Sequence, residues 1–142
     1  MNNVETIKLL ISLGADIHDG DDYMVGWASK NGYLELIKYL VSLNANIHAN
    51  NSFAIRYSAL NGHLGVIEYL VSIGANISAN NGDAIKWAYR NGHLEVIKYL
   101  VLKDADFRVH YDCPIKLAQK NGHAKVVEYL ASICAELISG GE

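Results

Sequence analysis

An internal repeat constrains this chain more than any other feature. Asn-Gly recurs at 31–32, 61–62, 91–92 and 121–122, a spacing of 30 residues, and the flanks recur with it. NGYLELIKYLVSLNANI from Asn31 is followed by NGHLGVIEYLVSIGANI from Asn61, NGHLEVIKYLVLKDADF from Asn91 and NGHAKVVEYLASICAEL from Asn121. A fixed period of this length marks a stacked-repeat architecture. Four units are framed as 23–52, 53–82, 83–112 and 113–142. Residues 1–22 supply only the second half of a fifth, because NVETIKLLISLGADI from Asn3 aligns with the later second halves. Residues 1–142 are therefore expected to form a single array.

Each unit reads as two helices. Leu64, Ile67, Leu70, Val71 and Ile73 fall at three-to-four spacing, the pattern of an amphipathic helix of about three turns. The shorter run 54–60 ends at Asn61-Gly62, where glycine can take the positive φ that closes a helix. The second helix ends likewise at Gly14, Asn44, Gly74 and Asp104, residue types that tolerate the left-handed conformation. Cys134 stands in that slot in the last unit, which predicts a differently terminated final helix. Lys103 is a second departure, replacing the Leu13, Leu43, Ile73 and Ile133 of the other units. A lone helix pair cannot bury its apolar face, so neighbouring units must stack over one continuous core. The expected fold is an all-α solenoid.

These residues resemble the ankyrin repeat. NGHLEVIKYL, and the Gly-Ala-Asn-Ile in the second full unit, are similar to that family's outer helix and its glycine-alanine turn, and the resemblance covers residues 3–138. The family period is about 33 residues, so three are missing here between Ala75-Asn76 and the next inner helix. The family's Thr-Pro-Leu-His start is replaced by Tyr23-Met24-Val25-Gly26, Phe53-Ala54-Ile55-Arg56, Asp83-Ala84-Ile85-Lys86 and Cys113-Pro114-Ile115-Lys116. Only Pro114 keeps the proline at the first helical position. The resemblance implies shortened hairpin loops with little β structure. The 30-residue period is also similar to ankyrin arrays of giant DNA viruses of the mimivirus type. A chain rich in Asn, Ile, Lys and Tyr with one Pro fits the AT-rich codons of such a source.

Composition excludes several classes. With 51% hydrophobic and 19% charged residues, the chain has ample apolar surface to bury and is not a disordered polypeptide. A net charge of −3 advertises neither nucleic acid nor an acidic membrane. No apolar run approaches the roughly 18 residues of a membrane-spanning helix. The polar, charged start Met1-Asn2-Asn3-Val4-Glu5 does not read as a secretion signal. An intracellular location, cytoplasmic and in the host cell for a viral protein, is the expectation. The triplets Asn50-Asn51-Ser52 and Asn76-Ile77-Ser78 then carry no weight as glycosylation sites.

Catalytic and metal motifs are absent. There is no Gly-rich phosphate loop, no nucleophile elbow and no H-E-x-x-H, so the chain reads as a non-enzyme without cofactor. His63, His93 and His123 align through repetition, as do His18 and His48. Units about 10 Å apart cannot bring such columns to within about 2.1 Å of one metal ion, so the histidines read as structural residues at helix starts. Asp19-Gly20-Asp21-Asp22 resembles the opening of a calcium loop, but Tyr23 and Met24 break the required ligand pattern. It reads as a solvated hairpin tip. Cys113 and Cys134 fall at one end of an antiparallel helix pair; a disulfide stays open on geometry, and a reducing compartment favours free thiols. Acids such as Glu35 and Glu68 read as outer-helix charge partners of Lys38-type positions.

The charge map points to a surface. Inner helices, taken as 24–30, 54–60, 84–90 and 114–120, contain Lys30, Arg56, Lys86, Arg90, Lys116 and Lys120 and no acid. They carry +6, and the remainder of the chain carries −9. Stacking places 56, 86 and 116 in one column and 30, 90 and 120 in the next, with Leu60 interrupting the second. Trp27, Tyr57 and Trp87 run beside them, with Tyr89 further along the same helix. A solvated basic face and aromatic packing are the bland readings; aromatic and Arg residues together are also the composition of binding hot spots. Tyr39, Tyr69, Tyr99 and Tyr129 form an outer-helix column assigned to packing.

In ankyrin proteins the inner helices line the groove that holds a protein partner. The resemblance therefore implies a protein-protein interaction module that takes an acidic or phosphorylated segment in a basic groove. Two other readings compete with it. The same columns could contact nucleic-acid phosphates with Trp87 or Tyr89 stacking on bases, against which the net charge counts. Alternatively, the chain is a structural segment of a longer array. The outer helix at 3–13 has no inner partner, which leaves Ile7, Leu10 and Leu13 poorly covered and offers a route to self-association.

Overall fold

A computed structural model of the chain describes residues 3–103 and 114–139, with side chains described up to residue 133. Every element in it is a helix, and no strand occurs among the described residues. The inner row is α2 (Asp19–Lys30), α4 (Ala49–Leu60), α6 (Ala79–Asn91) and α8 (Pro114–Lys120). The outer row is α1 (Asn3–Ser12), α3 (Leu34–Ser42), α5 (Leu64–Ser72), α7 (Leu94–Leu102) and α9 (Ala124–Ser139). Successive inner helices pack more extensively on one another than successive outer ones do. The all-α solenoid expected from the repeat is what the chain forms.

The Asn-Gly pair ends each inner helix by a double device. The Asn31, Asn61, Asn91 and Asn121 amides each donate to the carbonyl four residues back at 2.8 Å. The following glycines sit at φ 75–76°, and the next backbone N–H reaches back five residues, as His63 does to Ser58. That is the six-to-one bond of a Schellman closure. Gly14, Asn44 and Gly74 close the outer helices at φ 105°, 67° and 99°. Asp104 lies outside the described residues. Without such a residue at 134, α9 runs on to Ser139, 16 residues against nine in α3, α5 and α7.

The shortened connection is not a hairpin of strands. Asp16, Asn46 and Asn76 each accept the backbone N–H two residues on, and a short turn follows. Three consecutive residues then wind left-handed: Gly20-Asp21-Asp22, Asn50-Asn51-Ser52 and Asn80-Asn81-Gly82, all with φ between 53° and 74°. A left-handed conformation costs about 1–2 kcal/mol for most L-residues, with Gly, Asn and Asp the tolerant exceptions. Composition biased toward Asn thus has a stereochemical use here, beyond any codon preference. Asp22 is not part of a solvated tip. It is buried and accepts the His18 ring Nδ1 at 2.7 Å.

The core is a set of repeated columns. Leu36, Ile37 and Leu40, then Val66, Ile67 and Leu70, then Val96, Ile97 and Leu100 are all 2% exposed or less. Burying each side chain stabilises the fold by about 1.5–3 kcal/mol. Ala28, Ala59, Ala88 and Ala118 face them from the inner row with no exposure, because small residues let the helices approach. The buried Ser29 and Ser58 hydroxyls donate to carbonyls of their own helices.

Candidate functional site

The inner-row surface is built by helix register. Residues 26, 56, 86 and 116 occupy one equivalent position, and 30, 60, 90 and 120 another. Lys30, Arg90, Lys116 and Lys120 are exposed, and none forms an ion pair with a carboxylate among the described residues. Two of them lie over rings: the Lys30 ammonium is 5.9 Å from the Tyr57 centroid, and the Arg90 guanidinium is 5.2 Å from that of Trp87. Such contacts hold a cation at the surface while leaving it charged.

Arg56 and Lys86 are placed differently. Asp83, at the equivalent position to Phe53, accepts Arg56 Nε at 3.2 Å and lies 3.0 Å from Nη2, with both side chains about one-sixth exposed. Arg56 Nη1 also donates to the Asn51 carbonyl, and the Asn80 amide donates to the same Asp83 oxygen. Lys86 lies 3.9 Å from the other carboxylate oxygen. Asp83 therefore offsets part of the charge in the middle of the column, and the inner-row cations without a carboxylate partner among the described residues are Lys30, Arg90, Lys116 and Lys120.

The aromatic residues separate too. Trp27 packs against Tyr33 with centroids 5.4 Å apart, and Tyr57 stacks on Phe53 at 3.8 Å. Trp27, Tyr57 and Trp87 all stay half-buried, and the rings of Tyr57 and Trp87 lie under Lys30 and Arg90. Tyr89 is corrected: it is 1% exposed and belongs to the core. A step of two residues turns an α-helix by about 200°, which sends Tyr89 to the face opposite Trp87. It cannot stack on a partner or a base.

The histidines act between repeats. Nε2 of His63, His93 and His123 lies 2.8–2.9 Å from the carbonyls of Lys30, Leu60 and Arg90, 33 residues earlier. Each ring also covers the glycine of the preceding Asn-Gly pair. No group of three His, Cys, Asp or Glu could hold a metal among the described residues. The acids behave unevenly: Glu35 and Glu95 pair with Lys38 and Lys98 at 3.3 and 3.4 Å, whereas Glu68 stands in the Lys38 position itself. Cys113 and the side chain of Cys134 lie outside the described residues.

No described helix is long and apolar enough to cross a membrane. The family description "Ankyrin repeats (3 copies)" matches residues 1–81, more than half of the chain, and that family is generally a non-catalytic fold for protein-protein interaction. Matched repeats, an all-helical stack and the Asn-Gly closures agree, and the chain belongs to the ankyrin-repeat family.

Proposed function

We propose that this chain is a non-catalytic interaction module that holds an acidic or phosphorylated protein segment along its inner row. The observation that carries this reading is the set of exposed cations, Lys30, Arg90, Lys116 and Lys120, left without carboxylate partners among the described residues. Lys86 and the ring faces of Trp27, Tyr57 and Trp87 complete the surface, whereas Arg56 serves mainly to hold it. Complementary charge would raise association rate and selectivity more than affinity. The 30-residue period supports the narrower likeness to giant-virus arrays, for which the partner would be a host-cell protein.

The test is an NMR titration with a hexaglutamate peptide and its phosphotyrosine-containing counterpart. Amide shifts should concentrate on α6 and α8, weaken with salt and vanish in the double variant Arg90→Glu/Lys120→Glu. Shifts on the outer helices, or no difference between wild type and variant, would refute the groove. A generic oligonucleotide binding more tightly than either peptide, with a salt slope of several phosphates, would replace it by nucleic-acid recognition.

A further inference from the structure

The exposed cations at the ends of the inner helices stand in one evenly stepped column. Position 30 recurs at 60, 90 and 120, and the column reads Lys30, Leu60, Arg90, Lys120. One bond type holds every step. His63, His93 and His123 bring Nε2 to 2.8–2.9 Å from the carbonyls of Lys30, Leu60 and Arg90, the column residues themselves. Equivalent junctions repeat the same displacement, and packed helices lie about 8–10 Å apart. Charge therefore occupies the first, third and fourth positions of a regular row. Leu60, half-buried, makes the second position apolar.

A segment that meets every position needs side chains on one edge at the same repeat distance. A β-strand returns to one face every second residue, at about 6.6 or 13 Å, and misses the step. An α-helix returns after seven residues, about 10.5 Å, and drifts by about 20° each time. A polyproline II segment has three residues per turn, so every third side chain shares an edge at about 9.3 Å. It spans the row with about ten residues, against about 22 for a helix. The neighbouring column suits the same conformation. Trp27, Tyr57 and Trp87 stand three residues before positions 30, 60 and 90, on the same side of each helix. Aromatic-lined grooves hold polyproline II segments through prolines on a second edge.

We propose that the segment held by the inner row is a polyproline II stretch with acids opposite Lys30, Arg90 and Lys120 and an apolar residue opposite Leu60. Its acids fall at the first, seventh and tenth residues and its apolar residue at the fourth, in one chain direction or the reverse. This spacing rests on the acidic-segment reading and gives that segment its conformation and pattern. Net charge steers any acidic peptide to the row, whereas spacing decides how many ion pairs form together. Lys30 leans toward the Tyr57 ring at 5.9 Å, and its flexible stem lets the ammonium turn outward to a carboxylate.

Tryptophan fluorescence titration at low salt, with end-blocked peptides of one composition, tests this. EPPLPPEPPE and its reverse EPPEPPLPPE carry the spacing, and EPEPEPPLPP breaks it at equal charge. The better of the first two should bind about tenfold more tightly than the third, the gain from two further surface ion pairs. Leu60→Lys, with circular dichroism to check the helices, should favour EPPEPPEPPE over that peptide about threefold more than wild type does. Equal affinity of the three isomers, or an unchanged preference in folded Leu60→Lys, would overturn the spacing and leave the acidic-segment reading standing. A helical peptide with acids at seven-residue intervals that binds more tightly than all three would also overturn it. Should none of the three bind while hexaglutamate does, the spacing alone fails; should hexaglutamate fail as well, the acidic-segment reading falls with it.

Discussion

At the residue scale, the same amino acid does different work depending on what packs against it. Gly62 needs both a positive φ and the absence of a Cβ, because His93 lies against it; Gly122 needs only the φ. Gly122→Ala should therefore lower stability by about 1–2 kcal/mol, the left-handed penalty alone. Gly62→Ala should lose about 1 kcal/mol more, as the His93 ring is displaced from the Leu60 carbonyl. Urea unfolding of the two variants measures the difference, and equal losses would mean that the histidine contributes nothing. The tyrosine column shows a parallel asymmetry. Lys8, Lys38 and Lys98 lie over the rings of Tyr39, Tyr69 and Tyr129 at 5.5–5.8 Å. The fourth ring, Tyr99, meets Glu68 instead, with Lys103 of its own repeat over it at 5.8 Å. Burial first, and then the Glu68 charge, push the Tyr99 phenol above its usual 10.0. The folded chain thus holds this proton more tightly. That contribution is complete below the unfolded pKa and is lost as pH climbs through the folded value. Glu68→Lys should lower the Tyr99 pKa, read by ultraviolet titration against Tyr99→Phe, and stabilise the fold by about 0.5 kcal/mol.

At the scale of elements, the first two junctions between inner helices each carry their own complementary pair at residues n and n+27. Gly26 receives the Phe53 ring, which leaves no room for a Cβ; Arg56 receives Asp83. One junction is matched by size and the next by charge, which discourages the repeats from stacking out of order. Arg56→Ala and Asp83→Ala should each cost about 1.5–3 kcal/mol, the range for charge-assisted hydrogen bonds. The double variant should fall short of the sum in a double-mutant cycle. Arg90→Ala, whose guanidinium lies over the Trp87 ring with no ion pair among the described residues, should change stability by less than about 1 kcal/mol. A coupling near zero between Arg56 and Asp83 would return Arg56 to the set of cations available to a partner. The left-handed turns belong to this scale as well. Asn50 donates its amide to the Asp21 carbonyl at 2.9 Å, and Asn51 donates to Asn80, so successive turns are tied side by side where strands would otherwise pair.

For the whole molecule, a stack in which each repeat touches only its neighbours loses stability from its ends. α1 has no buried residue, whereas α5 keeps Val66, Ile67 and Leu70 at 2% exposure or less. Hydrogen exchange should therefore release the amides of α1 first and those of α4 and α5 last. Uniform protection across the array would show that it unfolds as one unit.

Much of this was legible from the residues. A 30-residue period, helical spacing of apolar residues and Asn-Gly closures depend on local stereochemistry, and they specify an all-helical stack before any contact is known. Segregation of basic residues onto the inner helices was equally visible, because equivalent positions in a repeat must form columns. What neighbours do across a junction was not. Helix position separates Arg56 from Arg90 but names no partner for either, and one is neutralised by Asp83 from the next repeat while the other is exposed over Trp87. Tyr89 read as a groove aromatic until the helix turned it into the core, and Asp22 read as a tip residue until His18 met it. Local sequence determines which helices form and where they end. Only packing between repeats decides which charges and rings remain for a partner, because that depends on groups brought together from about 30 residues away.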